Sequence, residues 1–169
     1  ESGHPDWERY VDWGRDTCRG YCRWGLDSSG YSYEGVGYGY LTAVYWIYVY
    51  AQLLLQNGRD NLFAAEPVLG RIPDAVFQIL FPDRSGLAQI SDLFVPDVLP
   101  WLCLTARHYR RPQDAALWRQ YRAGMPSRMS QGCELLTWHV FRGDLLALLW
   151  LDPALAPLPI EQMPLATAT

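Results

Sequence analysis

The sequence runs from Asp27-Ser28-Ser29-Gly30 through Tyr31-Ser32-Tyr33-Glu34-Gly35 into Val36-Gly37-Tyr38-Gly39-Tyr40, and an aromatic and apolar run follows as far as Leu55. Asp, Ser and Gly are turn formers, so residues 27–30 predict a turn. The run from Gly37 to Gln56 is apolar nearly all round, which predicts a buried helix that ends at Asn57-Gly58. The turn and the helix together place Glu34 and Tyr38 at the mouth of that helix.

Helical periodicity extends on both sides of this stretch. A first helix is predicted from Pro5-Asp6 to about Leu26, and segment 61–80, which Pro67 and Pro73 interrupt, predicts a short helix and then a longer one beginning near Pro73. Residues 81–91 predict a loop. Three more helices are predicted at 96–109, 112–122 and 130–150. No clean alternating strand is present, so the sequence predicts an all-α fold of antiparallel helical hairpins.

Composition limits the classes of function. The 169 residues suffice for one domain, and 8 Trp, 11 Tyr and 5 Phe supply rings for packing or for stacking on flat apolar faces such as those of sugars. The formal net charge of −4 argues against a general nucleic-acid binder, although an anionic sugar needs only a locally positive cleft. No apolar run approaches the ~20 residues of a membrane span, and no signal peptide is recognisable.

The basic residues are all Arg, which indicates codon bias more than function, because Arg107, Arg110, Arg111, Arg119 and Arg122 form only a loose cluster. Cys18 and Cys22 are four residues apart and share a helix face. Without CxxC spacing, the thiols, which include Cys103 and Cys133, favour buried free cysteines over a zinc site, and disulfides stay open. For His108 and His139 a structural role is the better interpretation. We expect no metal and no cofactor.

Several short motifs resemble the heparinase II/III group of polysaccharide lyases. The first is Glu34-Gly35-x-x-Tyr38, with a Gly/Ser turn before it and a long aromatic helix ending in Ala-x-Leu-Leu after it. The others follow in the same order as in that group: residues 57–63 (Asn-Gly-Arg-Asp-Asn-Leu-Phe), 81–86 with 90–92, 150–153, and the Pro-rich stretch 158–165. The similarity spans nearly the whole chain. Many members carry a second Tyr three residues after the first, where this chain has Leu41.

The resemblance implies an α/α toroid followed by a β-sandwich, with the catalytic site between them. Residues 1–152 would then be the second half of an incomplete toroid, and residues 153–169 an extended linker toward a missing sandwich. The Asn and His residues that the group places upstream, and the His from its sandwich, would be absent, so we expect the isolated chain to be inactive. The resemblance also implies a periplasmic or secreted protein whose partner is an anionic polysaccharide such as a glycosaminoglycan or alginate.

The resemblance implies that Tyr38 is the catalytic acid and base of a β-elimination, and we expect Glu34, Tyr40, Tyr45 and Asp92 to bind substrate. Each has a structural alternative: a rim aromatic for Tyr38, a helix cap for Glu34 and Asp92, and packing for Tyr40 and Tyr45. Two other functions stay open. One is a non-catalytic carbohydrate-binding or scaffold domain, and the other is a glycoside hydrolase that uses Glu34 with Asp92. Exposed helix faces of an open toroid also predict self-association.

Overall fold

The computed structural model describes residues 3–35, 38–80, 100–129, 147–159 and 162, with the backbone alone at residues 41, 42 and 121–129. Six α-helices, named here in chain order, lie in these ranges: α1 Trp7–Trp24, α2 Val44–Gln56, α3 Leu62–Ala65, α4 Ile72–Gln78, α5 Trp101–Tyr109 and α6 Pro112–Met129. A π-helical turn, Tyr38–Ala43, leads into α2, and a 3₁₀ turn, Pro67–Gly70, lies between α3 and α4. Residues 147–150 are also helical.

The predicted all-α class is confirmed for these ranges, which contain no β-strand and only isolated bridge residues such as the pair Leu26 and Ser32. The turn at residues 27–30, the helix end at Asn57 and the break around Pro67 also agree with the sequence. One boundary was wrong. Helix α6 continues to Met129, past the predicted end at Arg122, and so passes through Pro126. The predicted loop at 81–91 and most of the helix at 130–150 lie outside the described residues.

Helix α2 is the centre of the core, because it packs against α1, α3 and α5. The ring of Trp101 on α5 stacks on Tyr48 of α2, with ring centroids 5.1 Å apart and planes 10° from parallel. The same indole lies 6.3 Å from the ring of Tyr40. All three side chains are fully buried. The nearly uniform hydrophobicity of the second predicted helix therefore reflects burial on several sides.

Helices α1 and α2 run antiparallel, because two successive contacts pair earlier residues of α1 with later residues of the chain at the end of α2. The hydroxyl of Tyr50 on α2 donates to the carbonyl of Val11 near the start of α1, at 2.7 Å. Arg59, just beyond the end of α2, pairs with Glu8 in the first turn of α1. Cys18 and Cys22 are both buried on the face of α1 that meets the core, as predicted, and with Cys103 they are free thiols; Cys133 is outside the described residues.

The end of the helical region is held to α5 and α6. Arg110 pairs with Asp152 at 2.9 Å, and the backbone N–H of Leu158 donates to the carbonyl of Pro112 at 3.4 Å. Residues 151–159 contain no helix. Within the described ranges, no helix is both long enough and apolar enough to cross a membrane.

Candidate functional site

Hydrogen bonds to one carboxylate organise the loop that follows α1. The carboxylate of Asp27 accepts hydrogen bonds from the backbone N–H groups of Ser29 and Tyr31, at 2.8 and 2.9 Å, and from the hydroxyl of Ser29 at 2.7 Å. Burial alone would raise the pKa of Asp27, but these hydrogen bonds stabilise the carboxylate and lower its pKa overall. The turn residues seen in the sequence therefore fix the loop that leads to Glu34.

A chain of hydrogen bonds orients Glu34. The hydroxyl of Tyr21, in the last turns of α1, donates to the carboxylate of Glu34 at 3.0 Å and lies 2.9 Å from the hydroxyl of Ser32. Because the single proton of Tyr21 goes to the carboxylate, Ser32 donates to the oxygen of Tyr21. Burial raises the pKa of Tyr21 to about 12, so the phenol stays protonated at neutral pH and acts as a donor.

The π-helical turn packs directly on this network. Ser32 is fully buried, and a Cβ atom at Gly39 would lie 2.2 Å from its hydroxyl oxygen. Only a glycine at position 39 leaves room for the turn at this separation. Gly39 therefore allows the start of the long helix to pack against the loop.

Tyr38 is the first residue of the π-helical turn, and its side chain is 57 % exposed. π-Helical turns are rare and are frequent at functional sites. The described structure thus places an exposed phenol at the mouth of the long helix, four residues after an exposed carboxylate that Tyr21 holds in place. This is the surface that the sequence analysis singled out.

The other two aromatic residues of the predicted site have different surroundings. Tyr40 is fully buried, its hydroxyl donates to the carbonyl of Gly30 at 3.3 Å, and burial raises its pKa. In this arrangement Tyr40 packs the core and has no surface for a ligand. Tyr45 is half-buried, and its ring meets that of Trp46 edge to face at 5.0 Å.

Asp92, and with it the proposed pair of Glu34 and Asp92, lies outside the described residues. No group of three or more His, Cys, Asp and Glu residues that could hold a metal ion occurs in the part of the chain that the structure describes. Tyr21 and Ser32 were not among the site residues predicted from the sequence. Nothing in the spacing of either residue indicates the hydrogen bonds to Glu34, because these join residues from α1 and from the loop.

Exposed aromatic side chains also occur on α1, in the loop and on α2. The described residues include Trp13, Trp24, Tyr33 and Trp46, whose exposed fractions are 70 %, 76 %, 69 % and 54 %. Tyr33 lies close to the end of α1, since its backbone N–H donates to the carbonyl of Gly25 at 3.0 Å. Exposed rings of this kind can stack on the apolar faces of sugar rings.

Comparison with known proteins adds no relative: no family model, curated protein or solved structure matches this chain.

Proposed function

We propose that this chain is the helical domain of a polysaccharide lyase that cleaves an anionic, uronate-containing glycan by β-elimination. The observation that carries the proposal is the exposed Tyr38 at the first position of a π-helical turn, four residues after Glu34, whose carboxylate Tyr21 orients. The order of motifs that resembles the heparinase II/III group supports the same reaction.

Elimination from a uronate requires three events. The C5 proton is removed, the negative charge that develops next to the carboxylate is stabilised, and the C4–O4 bond breaks as O4 takes up a proton. In our proposal Tyr38 reacts as the phenolate. It takes the C5 proton and, as the phenol so formed, donates that proton to O4 as the C4–O4 bond breaks. Glu34 accepts hydrogen bonds from substrate hydroxyls, and a cation or donor that neutralises the uronate carboxylate completes the site.

The test is the absorbance of unsaturated uronates formed by the full-length product of the gene, offered alginate, heparan sulfate, chondroitin and hyaluronan. We expect signal on one of them, and we expect Tyr38→Phe to lower the rate by about 10²–10⁴-fold, the range for loss of a general acid or base. The matched control is Tyr33→Phe, which removes another exposed phenol from the same loop and should leave the rate unchanged. Equal rates for the two variants would show that Tyr38 takes no part in the reaction.

A second function, glycan binding without cleavage, is favoured by the exposed rings of Trp13, Trp24 and Trp46. It predicts retention of the full-length product on one of the same polysaccharides with no unsaturated product and no new reducing ends. New reducing ends without unsaturated product would instead indicate hydrolysis. The three outcomes separate the lyase, the binding domain and the hydrolase.

A further inference from the structure

A cleft lies away from Tyr38, toward the C-terminal end of α2. It is a cleft of about 430 Å³ between the end of α5 and the segment that follows the last described helical turn, and its walls are Arg107, His108, Arg110, Leu151, Asp152 and Pro153. Its volume is within the range of small-molecule sites. Gln52 is the α2 residue that reaches this cleft, through His108. At a helical rise of about 1.5 Å per residue, Gln52 lies roughly 20 Å along the helix from Tyr38.

His108 forms a rigid part of the wall. Its ring stacks on Phe63, with centroids 3.9 Å apart and planes 17° from parallel, and Nε2 lies 2.8 Å from Oε1 of Gln52, whose side chain is buried. Residues of α2, α3 and α5 therefore hold one imidazole in place. Burial, and then the charge of Arg107, lower the pKa of His108, so the ring is neutral at pH 7.

The charged residues of the cleft differ in their pairing. Arg110 donates to Asp152 at 2.9 Å, and its backbone is left-handed with φ +53° at the end of α5. Arg107 is exposed and makes no ion pair with any residue in the described ranges. Two guanidinium groups thus face one carboxylate, which makes this cleft locally positive on a chain whose formal net charge is −4.

Cations in the last turn of a helix also interact favourably with the helix dipole, and this effect alone would account for Arg107 on an open surface. It does not account for a cleft whose opposite wall comes from another part of the chain. That wall supplies a carboxylate acceptor from Asp152 and the apolar faces of Leu151 and Pro153.

We propose that this cleft binds a small carboxylate-bearing sugar of the uronic acid class. Arg107 takes the carboxylate, because it is the guanidinium with no carboxylate partner among the described residues, and a planar guanidinium matches a carboxylate in two parallel hydrogen bonds. The Arg110–Asp152 pair offers a donor and an acceptor to neighbouring hydroxyl groups. Leu151 and Pro153 cover the apolar face of the ring. This site needs no lyase chemistry and stands apart from the proposed function at Tyr38.

Calorimetric titration of the chain with sodium glucuronate, glucose and sodium acetate tests the proposal. We expect glucuronate to bind more tightly than either glucose, which lacks the carboxylate, or acetate, which lacks the ring. Arg107→Gln should weaken glucuronate binding by about tenfold or more, as the loss of a hydrogen bond to a charged group predicts. The control is Arg9→Gln, which removes an exposed Arg from α1 and should bind like the wild type.

Asp152→Asn gives an independent measurement. The substitution frees Arg110 from its carboxylate partner, so acetate should bind more tightly while the preference for glucuronate over acetate narrows. The proposal would be overturned by equal glucuronate affinity in the wild type, Arg107→Gln and Arg9→Gln. Absence of glucuronate binding by the folded wild-type chain would overturn it as well, whether or not the full-length product cleaves a polysaccharide.

Discussion

At Gly30 the backbone has φ +90°, and a Cβ atom built there would lie 2.5 Å from the backbone nitrogen of Ile72 and 2.6 Å from the carbonyl carbon of Arg71. The loop and the start of α4 therefore meet backbone to backbone at this residue. Both the conformation and the separation require glycine.

We expect Gly30→Ala to lower the free energy of unfolding by about 3 kcal/mol, the sum of left-handed strain and overpacking against a backbone that cannot rotate away. The measurement is chemical denaturation. Gly58→Ala is the control, since Gly58 has φ +64° but nothing within 4 Å of its Cβ position, so it should show the strain of about 1 kcal/mol alone. Equal losses would mean that the loop moves away from α4.

Asp114 is a buried carboxylate with an unusual titration. Its side chain is fully buried and accepts two hydrogen bonds from Nε of Arg111, at 2.9 and 3.1 Å. Burial raises the pKa of Asp114 to about 6, although the charge of Arg111 and hydrogen bonds from Thr105 and Arg111 act in the opposite direction. Burial is the larger effect in this site.

The raised pKa of Asp114 predicts how its contribution to the stability of the protein changes with pH. Below pH 6 the folded state takes up a proton that the unfolded chain, with a pKa near 3.8, does not yet bind. The contribution of Asp114 to stability therefore rises as the pH falls from 7 to 5, by about 1 kcal/mol, and is lost as the pH rises through 6.

The test is to measure the free energy of unfolding of the wild type and of Asp114→Asn at pH 7 and at pH 5. The difference between the two proteins cancels the contributions of the other titrating groups. One of these is His108, whose lowered pKa acts in the opposite direction over the same range. An identical pH dependence in both proteins would show that Asp114 keeps an ordinary pKa.

At the scale of helices, the contact between α1 and α2 depends on Gly14. A Cβ atom there would lie 2.7 Å from Cζ and from the hydroxyl oxygen of Tyr50, the residue that donates to the carbonyl of Val11. The antiparallel pair thus packs a tyrosine ring against a helix position that has no side chain.

We expect Gly14→Ala to destabilise the protein by about 1–3 kcal/mol, because overpacking outweighs the gain in helix propensity. Gly20→Ala on the same helix meets nothing within 4 Å and should stabilise it by about 1 kcal/mol. Opposite signs in thermal denaturation would support close packing of α1 on α2. A gain in both variants would contradict it.

At the scale of the whole molecule, one face of α1 carries large apolar side chains into solvent. Trp13 and Trp24 are three helical turns apart and so lie on the same side, with Tyr10 one turn before Trp13. Their exposed fractions are 58–76 %. A row of exposed rings on one helix is typical of an interaction surface.

We propose that this face of α1 makes the chain self-associate. Light scattering should then show a mass that rises with concentration, and the double variant Trp13→Ser/Trp24→Ser should lower it toward the monomer. Leu149→Ser, which removes an exposed apolar side chain outside α1, is the control and should behave as the wild type does. A monomer at all concentrations would refute self-association. Glycan binding would then be the remaining proposed role of the exposed rings.

The sequence by itself determined the helical segments that the structure describes, the turn at 27–30 and the helix breaks at Pro67 and Asn57, because periodicity and turn chemistry are local properties of the chain. It also indicated the burial of α2 and of Cys18 and Cys22. It did not indicate the length of α6, since Pro126 favours a break that the tertiary structure does not make.

Only the tertiary structure decided which side chains meet. It places Tyr40 in the core and Tyr38 at the surface, two residues apart in the same aromatic run, because the π-helical turn and its neighbours set the direction of each ring. The hydrogen bond from Tyr21 to Glu34 and the cleft of Arg107 and Asp152 join residues that are distant in sequence. Such contacts depend on how helices pack, and the spacing of residues along the chain does not predict them.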